Sequence, residues 1–473
     1  MNIGHTEAEI SGFSSAVRNK ISEGFGLANL YARKVDGGHS LEALLVGGSV
    51  ERISSIVSGN SYPSITPDVP YASLYEREIF ETVGLRPEGH PDMRSLRSRT
   101  VWGPKTGSAA IPHNGMVGEG IFEIPVGPIH AGVIGPGHFR FSVAGEPVLL
   151  MRTYLGYSRR GVERLLYTDA SADNTIITER ISGDNAIAHT LAYLQALEQD
   201  TEIPIRARYI RSIYAELERI YNHLGGITGI ALDTALAVPS SQGSMLREKM
   251  LRLNERICGH RLLRGTLKIG GVRKDLSEEA LTDIEKTVMD LKFDIDELFG
   301  IMVRSPSFMD RAETTGKLLF EDAARLRAVG PVARASGVDY DVRTHFPYAA
   351  YDELGLKVFK CPSGDVYARM SVKKNEISES VSLIGQCISY MKEGPVCADV
   401  EIKDGFSAGI VESPRGELIH CVHTENGKII GYKIRDPSFP NWPALECAVL
   451  GNIIPDFPVV NKSFDLSYSG NDL

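Results

Sequence analysis

Apolar residues recur at three- and four-residue steps in three long stretches of the chain. Across 205–237, Ile210, Ile213, Tyr214, Leu217, Ile220, Tyr221 and Leu224 make one stripe, the spacing of an amphipathic helix. Residues 275–304 and 371–392 repeat the pattern, with Ile377, Val381, Ile384, Ile388 and Met391 on one face of the latter. The first part of the chain has a different texture. GLANLYARK and LEALLVGG are short strand-like runs with Gly-rich turns between them. SYPSITPDVPYAS reads as loop, and YEREIFETVGLRPEGHPDMRSLR as a short charged helix closed by a Gly/Pro turn. VWGPKTGSAAIPHNG (Val101–Gly115) has linker composition. After it, GPIHAGVIGPGHFRFSVAGEPVLLM predicts two strands around a Gly-rich loop. The predicted class is α+β: a small α/β unit over 1–112, then a mainly helical unit over 118–473 with β additions. On the helix YAELERIYNHL (Tyr214–Leu224) the charges predict a solvated face of i,i+4 pairs, with a buried charge network as the sharper alternative.

Composition narrows the function classes. Hydrophobic residues make up 42% and charged residues 23% of 473, ordinary for a globular protein of two or three domains. The net charge of −9 gives no global attraction to nucleic acid. No apolar run approaches the ~20 residues needed to span a bilayer, and MNIGHTEAEISGF lacks the pattern of a signal peptide. The expected location is cytoplasmic, with any membrane role supplied by partners.

The six cysteines (258, 361, 387, 397, 421 and 447) form no CxxC, so no structural zinc site is readable. Of twelve histidines only His420 and His423 lie close together, in LIHCVH. An alternating strand would turn them to opposite faces, which is poor for chelation. There is no GxGxxG or GxxxxGK[ST] in strand–turn–helix context, no GxSxG and no HExxH.

The ordered set of longer motifs is more specific. YEREIFETVGLRPEGHPDMRSL resembles the end of the C-type component of respiratory complex I. GPIHAGVIGPGHFRF and LGYSRRGVERLL resemble the start of the nickel–iron hydrogenase large subunit and of the D-type component of complex I. ERISGDNAIAHTLAYLQALE, IRARYIRSIYAELERIYNHL, KIGGVRKDL, VGPVARASG, ESPRGE and FPNWPAL…GNIIPDFPVVNKSFD continue the likeness from Val69 to the end. The fused layout is most similar to the large subunit of membrane-bound, energy-converting hydrogenases of the formate hydrogenlyase type. That resemblance makes 1–112 a domain of the complex I C type and 118–473 a domain of the hydrogenase large-subunit or complex I D type.

The resemblance also implies a site, and there this chain departs from the family. Family members hold nickel and iron with four thiolates from two CxxC pairs, soft ligands suited to a redox metal. The first pair falls on Ser182 and Asn185, the second on Ser467 and Gly470 in FDLSYSG. A serine hydroxyl holds its proton far more tightly than a thiol, and glycine offers no ligand. A proton-relay glutamate of the family falls on Gly135. The C-terminal extension removed from many nickel-loaded relatives is not expected here, since the sequence stops three residues past Gly470. The complex I quinone contacts, a histidine and a tyrosine, fall on Pro136 and Gly183. ERICG in Asn254–Gly265 mimics a ligand motif, but its place in the order makes Cys258 a core thiol on an ordinary helix. Cavity candidates are His138, Arg180, Asp184, Arg415 and Asp465, with Arg415 expected to face a polar pocket. Asp184, Ser182, Asp465 and Ser467 are expected to converge.

The implied function is a subunit of a complex I-like, energy-converting membrane oxidoreductase without a nickel–iron centre, in which hydrogenase activity is not expected. No cofactor is expected on this chain itself. Iron–sulfur clusters would sit in an iron–sulfur small subunit and a ferredoxin-like subunit. Antiporter-like membrane subunits would hold the assembly on the cytoplasmic face. Two alternatives stay open: a quinone- or NADH-linked oxidoreductase subunit with a remodelled cavity, and a purely structural or assembly paralogue.

Overall fold

The computed structural model describes residues 3–97, 115–130 and 134–473. The expected domain end at 112 and the linker Val101–Gly115, apart from Gly115, lie outside the described residues.

At the N-terminus, strands β1 (Ile3–Glu7), β2 (Gly26–Val35), β3 (Gly38–Val46) and β4 (Val50–Val57) form one sheet in the order β1-β4-β3-β2. The β1–β4 pair is parallel and the other two pairs are antiparallel. Helices α1 (Ile10–Ser22) and α2 (Ser73–Val83) cover it. Phe13, Val17, Leu27, Leu30, Leu41, Ile53, Tyr75 and Ile79 form its core, which Phe439 from the other end of the chain completes. Within the stretch read as loop, Ser61–Pro63 instead pairs in parallel with Arg86–Glu88, as a short strand.

The larger unit is built around α4 (Ile205–Asp233), which follows α3 (Ala186–Leu197) and starts after Pro204. Against it packs α5 (Ala237–Cys258); α6 (Glu278–Val303) packs on α5 and on α7 (Val366–Tyr390), which itself packs against α4. Their ends follow local chemistry. Ser277 caps α6 through the Ala280 amide, with Glu278 and Glu279 facing the positive end of its dipole. Asp365 caps α7 through Ala368. Two antiparallel meanders are the β additions. One comprises β5 (Ile121–Val126), β6 (His138–Ala144) and β7 (Val148–Tyr154); the stretch from Gly127 to Met151 holds two strands as expected, but its Gly-rich segment precedes them instead of lying between them. The other comprises β8 (Gly405–Ser413), β9 (Gly416–Glu425) and β10 (Lys428–Arg435), and packs on α3. Helices α8 (Ser438–Ala448) and α9 (Phe457–Phe464) close the chain against α4 and β7. The α+β class with its two parts is as expected. Among the described residues no helix is long and apolar enough to cross a membrane.

The two parts are tied by polar contacts. Tyr31 on β2 and His423 on β9 are 3.0 Å apart, and His423 Nε2 lies 3.2 Å from Glu42 on β3. His423 therefore faces the N-terminal sheet while His420 faces α3. The two point to opposite sides of β9 and do not chelate together.

Candidate functional site

ERISGDN is the turn leading into α3. The Asn185 amide donates to the Ser182 carbonyl, closing a tight turn, and Asn185 then stands at the N-cap of α3. FDLSYSG follows α9, which Asp465 ends in the left-handed conformation at φ 58°. Ser467 then caps a short terminal helix, accepting from the Gly470 amide at 2.9 Å. The two segments meet at one contact: Ser182 Oγ and Ser467 Oγ are 2.8 Å apart and buried. The Asn185 side chain is also buried, with neither its Nδ2 nor its Oδ1 hydrogen-bonded.

Gly470 has a specific steric cause. A Cβ placed on it would lie 2.2 Å from Asp436 Oδ2 and 3.0 Å from Ser467 Oγ. The Asp436 carboxylate therefore occupies the space of a side chain at 470. Burial pushes the Asp436 carboxyl up, but contacts with His189 and Ser438 more than offset this and hold it below the usual range.

Arg415 sits in the two-residue turn between β8 and β9. This turn is pressed against the start of the VGPVAR segment so closely that a Cβ on Gly330 would meet the Arg415 carbonyl at 2.3 Å. The Arg415 guanidinium donates to both Asp184 oxygens, at 3.1 and 2.8 Å, and to the Asp465 carbonyl. It thus clamps the two segments from above. Burial raises the Asp184 carboxyl, and Arg415 more than reverses that, leaving it ionised. The four residues expected to converge (Ser182, Asp184, Asp465 and Ser467) do so, but Arg415 is bound to carboxylate and carbonyl rather than facing a polar pocket. Asp465 Oδ2 also lies 3.7 Å from Lys373 on α7, and burial holds that lysine down at about 8.

Beyond Lys373 lies a larger polar assembly, which corrects the expectation for Tyr214–Leu224. Glu216, Glu218, Arg219 and His223 are buried, not solvated. Arg219 bonds Glu216 and the carbonyls of Glu412 and Ser413. Arg334 reaches Glu376 at 2.8 Å and Glu412 at 2.8 Å, and Arg343 bridges Asp341 and Glu216. His223 bonds Glu376 at 2.8 Å, while burial holds it neutral, at about 4. Four carboxylates thus face three guanidiniums. The surplus is relieved at Glu412, which burial and then Asp341 push up to about 7. The helix charges turn inward because α7, β8 and the 330–343 segment bring counter-charges, which sequence spacing on one helix does not reveal.

Other expected residues lie elsewhere. His138 Nδ1 is 3.1 Å from the Gly127 carbonyl and Nε2 accepts from Arg140 at 3.1 Å, so the ring is committed to the Gly-rich loop. Arg180 leaves the crossing: its exposed guanidinium folds back onto the Ile176 carbonyl. The Tyr468 ring fills the loop side, 2.7 Å from a Cβ on Gly135, so no side chain fits there. Cys258 ends α5, its thiol donating to the Asn254 carbonyl and pushed by burial to about 11. Among the described residues no cluster of three His, Cys, Asp or Glu fit for a metal occurs. Sequence reasoning missed Asp436, His189, Lys373, Glu376, Asp341, Arg343 and Glu412 as parts of this region. The one available signal was Asp436 in RDPSF, where its carboxylate accepts from the Ser438 amide at the start of α8.

Known families and proteins resemble this chain along much of its length. Residues 238–406 match the model of the respiratory-chain NADH dehydrogenase 49 Kd subunit, and residues 40–107 that of the 30 Kd subunit. Formate hydrogenlyase subunit 5 of Escherichia coli is 30% identical over 436 residues, covering 87% of this chain and 77% of that protein. The membrane-bound hydrogenase subunit alpha of Pyrococcus furiosus is 31% identical over 375 residues, covering 74% and 87%. NADH-quinone oxidoreductase subunit 4 of Thermus thermophilus is 32% identical over 377 residues, covering 73% and 92%.

Proposed function

The chain belongs to the family of large subunits shared by complex I and the energy-converting hydrogenases, with the 30 Kd-type and 49 Kd-type parts fused, and on that premise we propose that it is a subunit without a nickel–iron centre. Its role is then to scaffold an iron–sulfur small subunit and transmit coupling to membrane subunits. It sits peripherally on the cytoplasmic face of the membrane, and the iron–sulfur clusters belong to the small and ferredoxin-like partners.

The observation that carries this reading is the Gly470–Asp436 contact. At the four ligand positions implied by the family stand two hydroxyls bonded to each other, an amide and no side chain. A cysteine at 470 would place its Cβ on the Asp436 carboxylate. These residues do not fit a thiolate-held pair of metals, so no chemical step is routed through one. What remains is a clamp. Arg415 and the serine pair lock the 182–185 turn to the 465–470 turn, and Lys373, beside Asp465, stands one turn before Glu376 on α7. Two buried polar regions joined through one helix, α7, suit transmission of charge or strain between subunits.

Metal analysis of the purified assembly tests this directly. The expected result is no nickel on this subunit, with iron accounted for by the partners, and co-purification with an iron–sulfur subunit and antiporter-like membrane proteins. Nickel at one equivalent per chain overturns the proposal, as does a chain that purifies from its host without partners.

A further inference from the structure

Beside the crossing, four side chains stand in single file through the core. Asp436, just after β10, has Oδ2 3.3 Å from His189 Nε2 on α3. His189 Nδ1 is 3.0 Å from His420 Nε2 on β9. His420 Nδ1 is 2.7 Å from the Tyr432 hydroxyl on β10. His189 and His420 have 0% exposure, whereas Tyr432 keeps 5%. Tyr432 also lines an open cleft of about 900 Å³, with Arg33, Arg164 and Lys433 on its walls. The other end of the file is the carboxylate that fills the Gly470 space, next to Ser467.

The hydrogen-bond arithmetic gives the file a single polarity. A neutral imidazole has one donor and one acceptor nitrogen. With Asp436 ionised, His189 carries its proton on Nε2, facing the carboxylate. Its Nδ1 then accepts from His420 Nε2–H, and His420 Nδ1 accepts from the Tyr432 hydroxyl. The last link is ready rather than made: His189 Nε2 and Asp436 Oδ2 are in range but out of line, and neither has another hydrogen bond. Two atoms this buried are costly to leave unmatched. Rotation of the carboxylate completes the chain.

We propose that Tyr432, His420, His189 and Asp436 form a proton relay between the cleft and the Ser182–Ser467 crossing. One passage moves the Tyr432 hydroxyl proton to His420 Nδ1, the His420 Nε2 proton to His189 Nδ1, and the His189 Nε2 proton to Asp436. Tyr432 recovers a proton from solvent in the cleft, and both rings change tautomer. One proton enters and one O–H forms on Asp436, with no redox change. Burial and the neighbouring His189 hold His420 well below its usual range, so a discrete imidazolium there is disfavoured and the shifts run together. The relay does not depend on the metal content of the site.

The full-length chain, labelled with ¹⁵N at histidine, tests it by solvent exchange of the ring protons. In the native protein the His189 and His420 ring protons should exchange roughly tenfold or more faster than the His420 backbone amide, which reports opening of the sheet. Tyr432→Phe should slow ring exchange by about tenfold with amide exchange unchanged. Tyr193→Phe, which removes a nearby hydroxyl outside the file, should leave ring exchange unchanged. Ring protons that exchange no faster than the amide in the native chain overturn the relay, even if Tyr432→Phe fails to fold. So does a folded Tyr432→Phe variant with unaltered ring exchange.

Discussion

Two buried polar regions share the core, and they are built on opposite principles. Around Glu376 and Arg334, each carboxylate meets at least one guanidinium, and surplus negative charge is relieved by a raised carboxyl at Glu412. At the Ser182–Ser467 crossing the contacts are mostly neutral. Its charges are few (the Arg415 clamp on Asp184, Asp465 near Lys373, and Asp436), and Asn185, His189 and Asp436 keep atoms without hydrogen bonds. The first region spends its hydrogen-bonding capacity on itself and acts as a rigid frame. The second keeps capacity in reserve, which is where binding or proton movement can occur.

The sharpest way to break this comparison is to remove one charge from the frame. Arg334→Met leaves Glu376, Glu412 and Asp341 short of a partner. It should destabilise the fold by about 3–5 kcal/mol in chemical denaturation; a loss below ~1 kcal/mol would mean the frame is not held by its charges. At the crossing the expected limit is space rather than charge. Gly470→Ala should cost about 1–3 kcal/mol by overpacking against Asp436, and Asp436→Ala in the same chain should recover most of it. If the two costs simply add, the carboxylate does not hold that space.

Glu218 links the two regions, since it lies on α4 and accepts the Ile187 and Ala188 amides at the start of α3. Burial raises its carboxyl from 4.5 to about 8. Between those values the folded state holds a proton that the unfolded state has released. Stability is therefore greatest below the lower value and falls as pH rises toward the upper one, by up to about 1.4 kcal/mol per pH unit. Glu218→Gln should flatten that slope in melts taken across this range, and an unchanged slope would assign the pH dependence elsewhere. The smallest effect belongs to the serine pair. Ser182→Ala should cost about 1 kcal/mol. Ser467→Ala should cost somewhat more, because it also uncaps the terminal helix. The double variant should cost less than their sum, and strict additivity would show that the two hydroxyls do not interact.

Much of this protein was legible in its sequence. Three- and four-residue apolar steps located α4, α6 and α7 because a helix buries a stripe whatever it packs against. The order of motifs pointed to the family, and counting along those motifs led to the proposal that its cysteine positions fall on Ser182, Asn185, Ser467 and Gly470. Alternation alone turned His420 and His423 to opposite faces. What one dimension does not carry is which distant groups share a place. The charges of α4 looked solvated because their partners come from α7, β8 and 334–343, more than a hundred residues away. His189, His420 and Asp436 looked like unrelated residues until α3 packed on the β8–β10 meander. Glycine 470 looked like an empty position, whereas tertiary packing had filled its space with the Asp436 carboxylate. Local propensity and periodicity act over a few residues and are written into the chain; the pairing of buried charges and protons depends on long-range contact, and only the folded structure decides it.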